Sequence, residues 1–134
     1  MIPVPVTLVA ASAAVFVNMW LGWRIGQLRH RFQVSVGDGG HEPLLRRMRA
    51  QANYIESAPF FLILLGSLEL SGANRIALAI IAGIFILARI AHGIGMDGGE
   101  RQVWRRVGIQ LTGLTCLALA LWALVCAFEI CLRR

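Results

Sequence analysis

Four polar residues recur along one segment of the chain at a spacing that places them on one face of a helix. They are Arg46, Arg49, Asn53 and Glu56. At roughly 100° per residue these positions fall within an arc of about 80°. A stripe of two cations, an amide and a carboxylate can pair with the carboxylates, amides and ammonium of a ligand that carries several charges. Arginine suits carboxylates in particular, because its planar guanidinium binds two oxygens at once.

The stripe runs directly into an apolar segment, residues 60–65. Each such polar group at membrane depth costs on the order of 3 kcal/mol on insertion scales, so a partner in the protein or in a ligand is expected. Arg89 and His92 share one face of a later apolar helix, and Arg101 and Arg105 lie in the loop that follows it. These clusters are all expected at the same end of the molecule.

An alternative interpretation is that these residues are interfacial flanks with one or two internal ion pairs, such as Glu56 with Arg89. Spacing alone does not decide between this interpretation and a ligand site. Against it, Asn53, Glu56 and Arg89 lie inside apolar helices, beyond simple flanks. The residues assigned outright to this interpretation of flanks and internal ion pairs are Arg47, Arg106, Arg133 and Arg134.

The composition is that of an integral membrane protein. The chain has 134 residues, of which 57% are hydrophobic and 15% charged, and its mean hydropathy is +0.68. Soluble domains carry about 25% charged residues. The net charge is +6, and all the basic residues are arginine; in so apolar a chain they are expected to flank membrane helices and not to bind nucleic acid. The cysteines and histidines lack metal-ligand spacing, so no metal site is expected.

The pattern of apolar runs predicts an all-α, integral membrane four-helix up-down bundle in a single domain, residues 1–134. The helices are expected at about 3–23, 43–70, 75–96 and 105–130, each long enough to cross a membrane. Most arginines lie in the first and third loops. The positive-inside rule therefore predicts that these loops are cytoplasmic and that both termini lie outside.

Two motifs stand out in the polar helices. They consist of Arg49, Ala50, Gln51, Asn53, Glu56 and Pro59 in helix two, and Ala88, Arg89, His92 and Gly95 in helix three. Both resemble the MAPEG family, the membrane-associated proteins in eicosanoid and glutathione metabolism, and the resemblance extends over essentially the whole chain. It implies a homotrimer of four-helix protomers in a bacterial inner membrane, with glutathione bound between neighbouring protomers near the cytoplasmic face.

The resemblance also implies a role for individual residues. Arg105, or else Arg101, would activate the glutathione thiol, because a nearby guanidinium lowers a thiol pKa from its usual value of about 8.5. The thiolate would then attack an electrophile dissolved in the bilayer. The residues expected to bind glutathione, as co-substrate, are Arg29, Arg46, Arg49, Gln51, Asn53, Glu56, Arg89 and His92.

The resulting hypothesis is a membrane-bound glutathione transferase or peroxidase-like protein that acts on lipophilic electrophiles. Eicosanoid-making members carry tyrosines near the sites of Ser57 and Met96, which argues against leukotriene or prostaglandin synthesis. The alternative is a non-catalytic MAPEG-like protein that binds a lipid or another anionic ligand. A small multidrug exporter is less favoured, because the first helix has no carboxylate.

Overall fold

The computed structural model describes residues 3–132, which form an all-α four-helix up-down bundle, as predicted. Consecutive helices are antiparallel, and a short 3-10 turn precedes the last of them. The elements are α1 (Pro5–Phe32), α2 (Glu42–Leu70), α3 (Arg75–Gly95), a 3-10 turn (Gly99–Arg101) and α4 (Gln102–Leu132).

Aromatic and aliphatic side chains fill the space between the helices. Phe61 of α2 and Phe85 of α3 stack with ring centroids 3.8 Å apart, and both are fully buried. The outward faces are apolar as well: Phe16, Phe60 and Leu124 are each about two-thirds exposed. A bundle that is apolar inside and outside is matched to a lipid environment.

Three helical segments are long and apolar enough to cross a membrane: Pro5–Phe32, Arg75–Gly95 and Gly99–Leu132. The exception among the four is α2, because its first half carries the charged stripe and only its second half is continuously apolar. Together these helices make the chain a multi-pass integral membrane protein.

Two predicted helix boundaries were wrong. The first helix was expected to end near residue 23, but it continues to Phe32 and ends at Gln33, which has a left-handed backbone. Charged residues stop a membrane span without stopping a helix, since arginine, leucine and glutamine are good helix formers. The fourth helix starts at Gln102 and not near 105, so Arg105 already lies in its first turn.

The N-terminus of α1 is capped by a side chain from another helix. Val4 provides no side-chain cap, and Glu69 of α2 accepts hydrogen bonds instead from Val6 N (3.0 Å), Thr7 N (2.8 Å) and Thr7 Oγ1 (2.7 Å). Helix N-termini have unpaired N–H groups and favour negative charge. The sequence placed Glu69 in a connection and did not reveal this role.

An ionic cluster ties three helices together at the opposite end of the bundle. Arg24 of α1 donates to Asp97 Oδ2 (2.5 Å) and to the carbonyl of Gly93 (2.8 Å). Arg47 of α2 donates to Asp97 Oδ1 (3.1 Å) and to the carbonyl of Arg24 (2.8 Å). We call Arg24, Arg47 and Asp97 the Asp97 clasp. The pairing of Arg47 agrees with its assignment to flanks and internal ion pairs, although the sequence did not identify Asp97 as the partner. Arg133 and Arg134, which had the same assignment, lie outside the described residues.

Candidate functional site

A cavity of about 420 Å³ opens beside the Asp97 clasp, where α2 and α4 begin and α3 ends. We call it the polar cavity. Three helices contribute to its wall, and five of its residues were predicted from the sequence as site residues. The lining residues are Arg49, Ala52, Asn53, Glu56, His92, Met96, Arg105, Arg106 and Ile109.

The α2 wall follows from the helical period. Arg49, Asn53 and Glu56 are four and three residues apart and therefore share a face. The adjacent face, roughly 100° around the helix, carries Ala50 and Tyr54. Both are buried, and the tyrosine hydroxyl donates to the main-chain carbonyl of Ala14 in α1 at 2.7 Å. Because that face is held in the core, the polar face is turned toward the cavity.

Close packing of α3 on α4 brings the remaining side chains to the site. A Cβ added at Gly95 would collide with the backbone of Arg105, and one at Gly108 with the backbone of α3. His92 is buried, and its Nδ1 lies 3.3 Å from the carbonyl oxygen of Arg105. The glycines thus allow the start of α4 to lie directly against the end of α3.

The charges of the polar cavity are unpaired. Among residues 3–132, the side chains of Arg49, Glu56, Arg105 and Arg106 make no hydrogen bond or ion pair. Three guanidinium groups and one carboxylate therefore line one cavity without neutralising each other. This is the arrangement expected of a site for an anion that also carries an ammonium.

Arg89 lies behind the wall of the cavity. It is 1% exposed, and it donates to Asn53 Oδ1 (2.9 Å) and Thr112 Oγ1 (3.3 Å). Its guanidinium carbon also lies 5.6 Å from the centre of the Tyr54 ring. The Glu56–Arg89 ion pair of the alternative interpretation is not formed within the described part of the chain.

Three of the predicted site residues lie away from the cavity. Gln51 donates to Asn18 of α1 at 3.2 Å. Arg29 donates to the carbonyls of residues 34 and 35 and so holds the first loop. Arg101 is 63% exposed and lies 3.8 Å from Asp97.

Arg46 borders a second, smaller cavity of about 200 Å³ that adjoins the first. Its guanidinium pairs with Glu42 at 2.6 Å, one helical turn away. Gly95, Gln102, Met96 and Arg105 complete the lining, and the last two are shared with the polar cavity. Arg105 therefore stands between the two cavities.

The sequence did not identify several lining residues. Arg106 was predicted to be a flanking residue; it is exposed, but it also borders the cavity, beside Arg105 at the start of α4. Met96 was considered only as a position where eicosanoid-making members of the family carry a tyrosine. The one available signal was the four-residue spacing of Arg105 and Ile109, which places both residues on the same face of α4.

Comparison with known proteins agrees with this architecture. The model of the MAPEG family matches residues 7–125, which include every residue that lines the polar cavity. The chain belongs to the MAPEG family. It is also 26% identical over 111 residues to "Inner membrane protein YecN" of Escherichia coli strain K12, which is 83% of this chain and 84% of that relative. The YecN protein of Escherichia coli O6:H1 matches equally well.

Proposed function

We propose that this MAPEG protein is a membrane-bound glutathione transferase or peroxidase-like enzyme. It conjugates or reduces lipophilic electrophiles at the cytoplasmic face of a bacterial inner membrane. The observation that carries the proposal is the set of unpaired charges in the polar cavity. Elsewhere in the described residues, Arg24, Arg46 and Arg47 each have a carboxylate partner.

Glutathione has the complementary charges. It carries two carboxylates, one ammonium and a thiol, and the cavity offers three guanidinium groups and one carboxylate. Glu56 pairs with the ammonium, and Arg49 and Arg106 pair with carboxylates. A volume of about 420 Å³ lies within the range of roughly 300–1,000 Å³ typical of small-molecule sites.

Arg105 is the residue that we assign to the thiol. It lines the cavity, and its backbone is held in the first turn of α4 against α3. The N-terminal end of α4 adds partial positive charge. Together they favour the thiolate, which forms a bond from sulfur to the electrophile as the leaving group departs with its electron pair. Arg101 is less suited, because it does not line the polar cavity and lies near Asp97.

The polar cavity opens on the outside of a single protomer, which supports assembly. We propose that a homotrimer closes it and that neighbouring protomers share the bound glutathione, as the family resemblance implies. Native mass spectrometry in mild detergent is expected to show three copies. A clean monomer or dimer contradicts the shared site.

We also propose that the cavity end is cytoplasmic and the Glu69 end is outside. Single cysteines introduced at the exposed positions Val36 and Ser71, in a background without the native cysteines, test this. A membrane-impermeant thiol reagent added to intact cells is expected to label position 71. Labelling of position 36 from outside would contradict the proposed orientation and show that the cavity end lies outside.

Glutathione titration of the purified protein, followed by calorimetry, tests the function directly. We expect Arg49→Ala to weaken binding by about 10- to 100-fold, since hydrogen bonds to charged groups contribute about 1.5–3 kcal/mol. The control is Arg31→Ala, an exposed arginine outside the cavity, which is expected to bind like wild type. Absence of binding by the wild-type protein contradicts the proposal.

Turnover of a chloronitrobenzene then separates the enzymatic proposal from the non-catalytic alternative. The transferase proposal requires conjugate formation that depends on glutathione. Binding without turnover of this substrate or of an organic hydroperoxide favours the non-catalytic alternative, a MAPEG protein that binds a lipid or another anionic ligand.

A further inference from the structure

The guanidinium group of Arg89 is buried without a counter-ion. No carboxylate of residues 3–132 pairs with it, and its Nε has no hydrogen-bond partner among them. Its two other nitrogens donate to Asn53 and Thr112. Buried cations normally have a partner of opposite charge, so this contact with a cavity residue requires an explanation.

The contact determines which end of the Asn53 amide faces Arg89. A guanidinium has only donors, so the atom that it touches must be the amide oxygen, however the amide group is drawn. The Nδ2 group is therefore at the other end. It has no partner among the described residues, it is not enclosed, and Asn53 lines the polar cavity. The cavity thus receives a hydrogen-bond donor.

The same reasoning extends to the other side of Arg89. Thr112 Oγ1 donates its only proton to the carbonyl of Gly108 at 2.8 Å, so toward Arg89 its oxygen can act only as an acceptor. The hydrogen bonds therefore diverge from Arg89, which donates to a fixed acceptor on each side. Along the branch toward the cavity, the bonds run in one direction, from Arg89 to Asn53 and on to a ligand. A chain with one direction is polarised along its length, which strengthens the Asn53 donor.

We infer that Arg89 is a positioning residue, which holds Asn53 so that it presents only a donor to an anionic group of the bound ligand. This inference rests on the proposed function, and it gives Arg89 a different role from direct ligand contact. Arg89 acts through Asn53, and its own unneutralised charge adds to the preference of the cavity for an anion.

The inference predicts opposite effects on stability and on affinity for one substitution. Asn53→Asp would give Arg89 a carboxylate partner and should stabilise the folded protein. The same change would replace the donor in the cavity by a carboxylate oxygen, which repels an anionic ligand. A purely structural role of the contact predicts higher stability with unchanged affinity.

Thermal unfolding in detergent without ligand, and calorimetric titration with glutathione, test both effects. For Asn53→Asp we expect a midpoint higher by about 5 °C and an affinity at least about 30-fold lower. The matched control is Asn18→Asp. Asn18 Oδ1 also accepts from a side chain, Gln51, but Asn18 does not line the polar cavity. Its glutathione affinity should stay at the wild-type value.

Asn53→Ala completes the test. It removes the donor and also one partner of Arg89, so affinity and midpoint should both fall. A lower midpoint for Asn53→Asp, or failure to fold, overturns the Arg89 contact, and wild-type affinity in Asn53→Asp overturns the donor role. Either result leaves the proposed function standing if the wild-type protein binds glutathione. If the wild-type protein does not bind glutathione, the proposed function fails and this inference fails with it.

Discussion

Glu69 and Glu56 lie on the same helix, α2, and differ entirely in their surroundings. Glu69 is buried and accepts three hydrogen bonds from the first turn of α1. Glu56 is exposed to the polar cavity and has no partner within residues 3–132. The comparison shows that residue type and helix do not determine the role of a charge in this bundle. Of these two glutamates, the one with partners within the protomer holds the fold, and the one without them faces the cavity.

The different surroundings of Glu69 and Glu56 each have a physical cause. Glu69 meets the N-terminus of α1, where N–H groups are unpaired and the helix dipole is positive. Arg75 lies 3.8 Å away and adds a cation at the rim. Glu56 instead shares its cavity with three arginines, but none of them pairs with it.

The largest expected effect is on stability, at Glu69. Glu69→Gln would turn the amide N–H group toward the donors of either Val6 or Thr7, which leaves partly buried donors unsatisfied. We expect a loss of about 3 kcal/mol, measured as a lower thermal midpoint, with glutathione affinity unchanged in the folded fraction. The control Glu129→Gln, at an exposed position of α4, should unfold like wild type. A normal midpoint with lost binding would contradict the comparison.

Glu56→Gln is expected to have the converse effect. Glutathione affinity should fall by about 10- to 100-fold, because the ammonium of the ligand loses its charged partner. The thermal midpoint and the trimer should be retained, since the glutamate has no protein partner to lose. Calorimetry and native mass spectrometry measure the two properties. If the assembly falls apart while the remaining trimer binds normally, Glu56 is a structural residue.

Arg105→Ala tests the chemistry of the cavity at an intermediate magnitude. Without the guanidinium, the pKa of the bound thiol should rise by about one unit, which is about 1.4 kcal/mol of thiolate stabilisation. The thiolate fraction at neutral pH and the turnover should then fall, while most of the binding is kept. Ultraviolet absorbance of the thiolate across a pH series measures the shift. Arg101→Ala is the control, and a shift there instead would exchange the two assignments.

The smallest expected effect is at Glu42, whose carboxylate pairs with Arg46 on the surface of α2. The pair is short, at 2.6 Å, but the glutamate side chain is 70% exposed. Glu42→Gln should change the free energy of unfolding by less than about 1 kcal/mol, since water screens exposed pairs. A loss of unfolding free energy as large as that of Glu69→Gln would show that an ion pair stabilises this protein even when it is exposed. The comparison between Glu69 and Glu56 would then need revision.

The sequence by itself determined the features that depend on local order. Long apolar runs separated by short polar segments were enough for four antiparallel helices in a membrane. The helical period was enough to place Arg49, Asn53 and Glu56 on one face. These inferences held because they use only distances along a single helix, which the backbone geometry sets.

Only the tertiary structure decided the partner of each charge. Glu69 caps a helix that starts more than sixty residues earlier in the chain. Arg89 bonds Asn53 and not Glu56, the partner named in the alternative interpretation. Arg106 was taken for a flank, and it is exposed but also borders the cavity. Such pairings depend on the rotation and depth of one helix relative to another. The rotation and depth are set by close packing at positions such as Gly95 and Gly108. The sequence around these glycines does not indicate which charged residues this packing brings together.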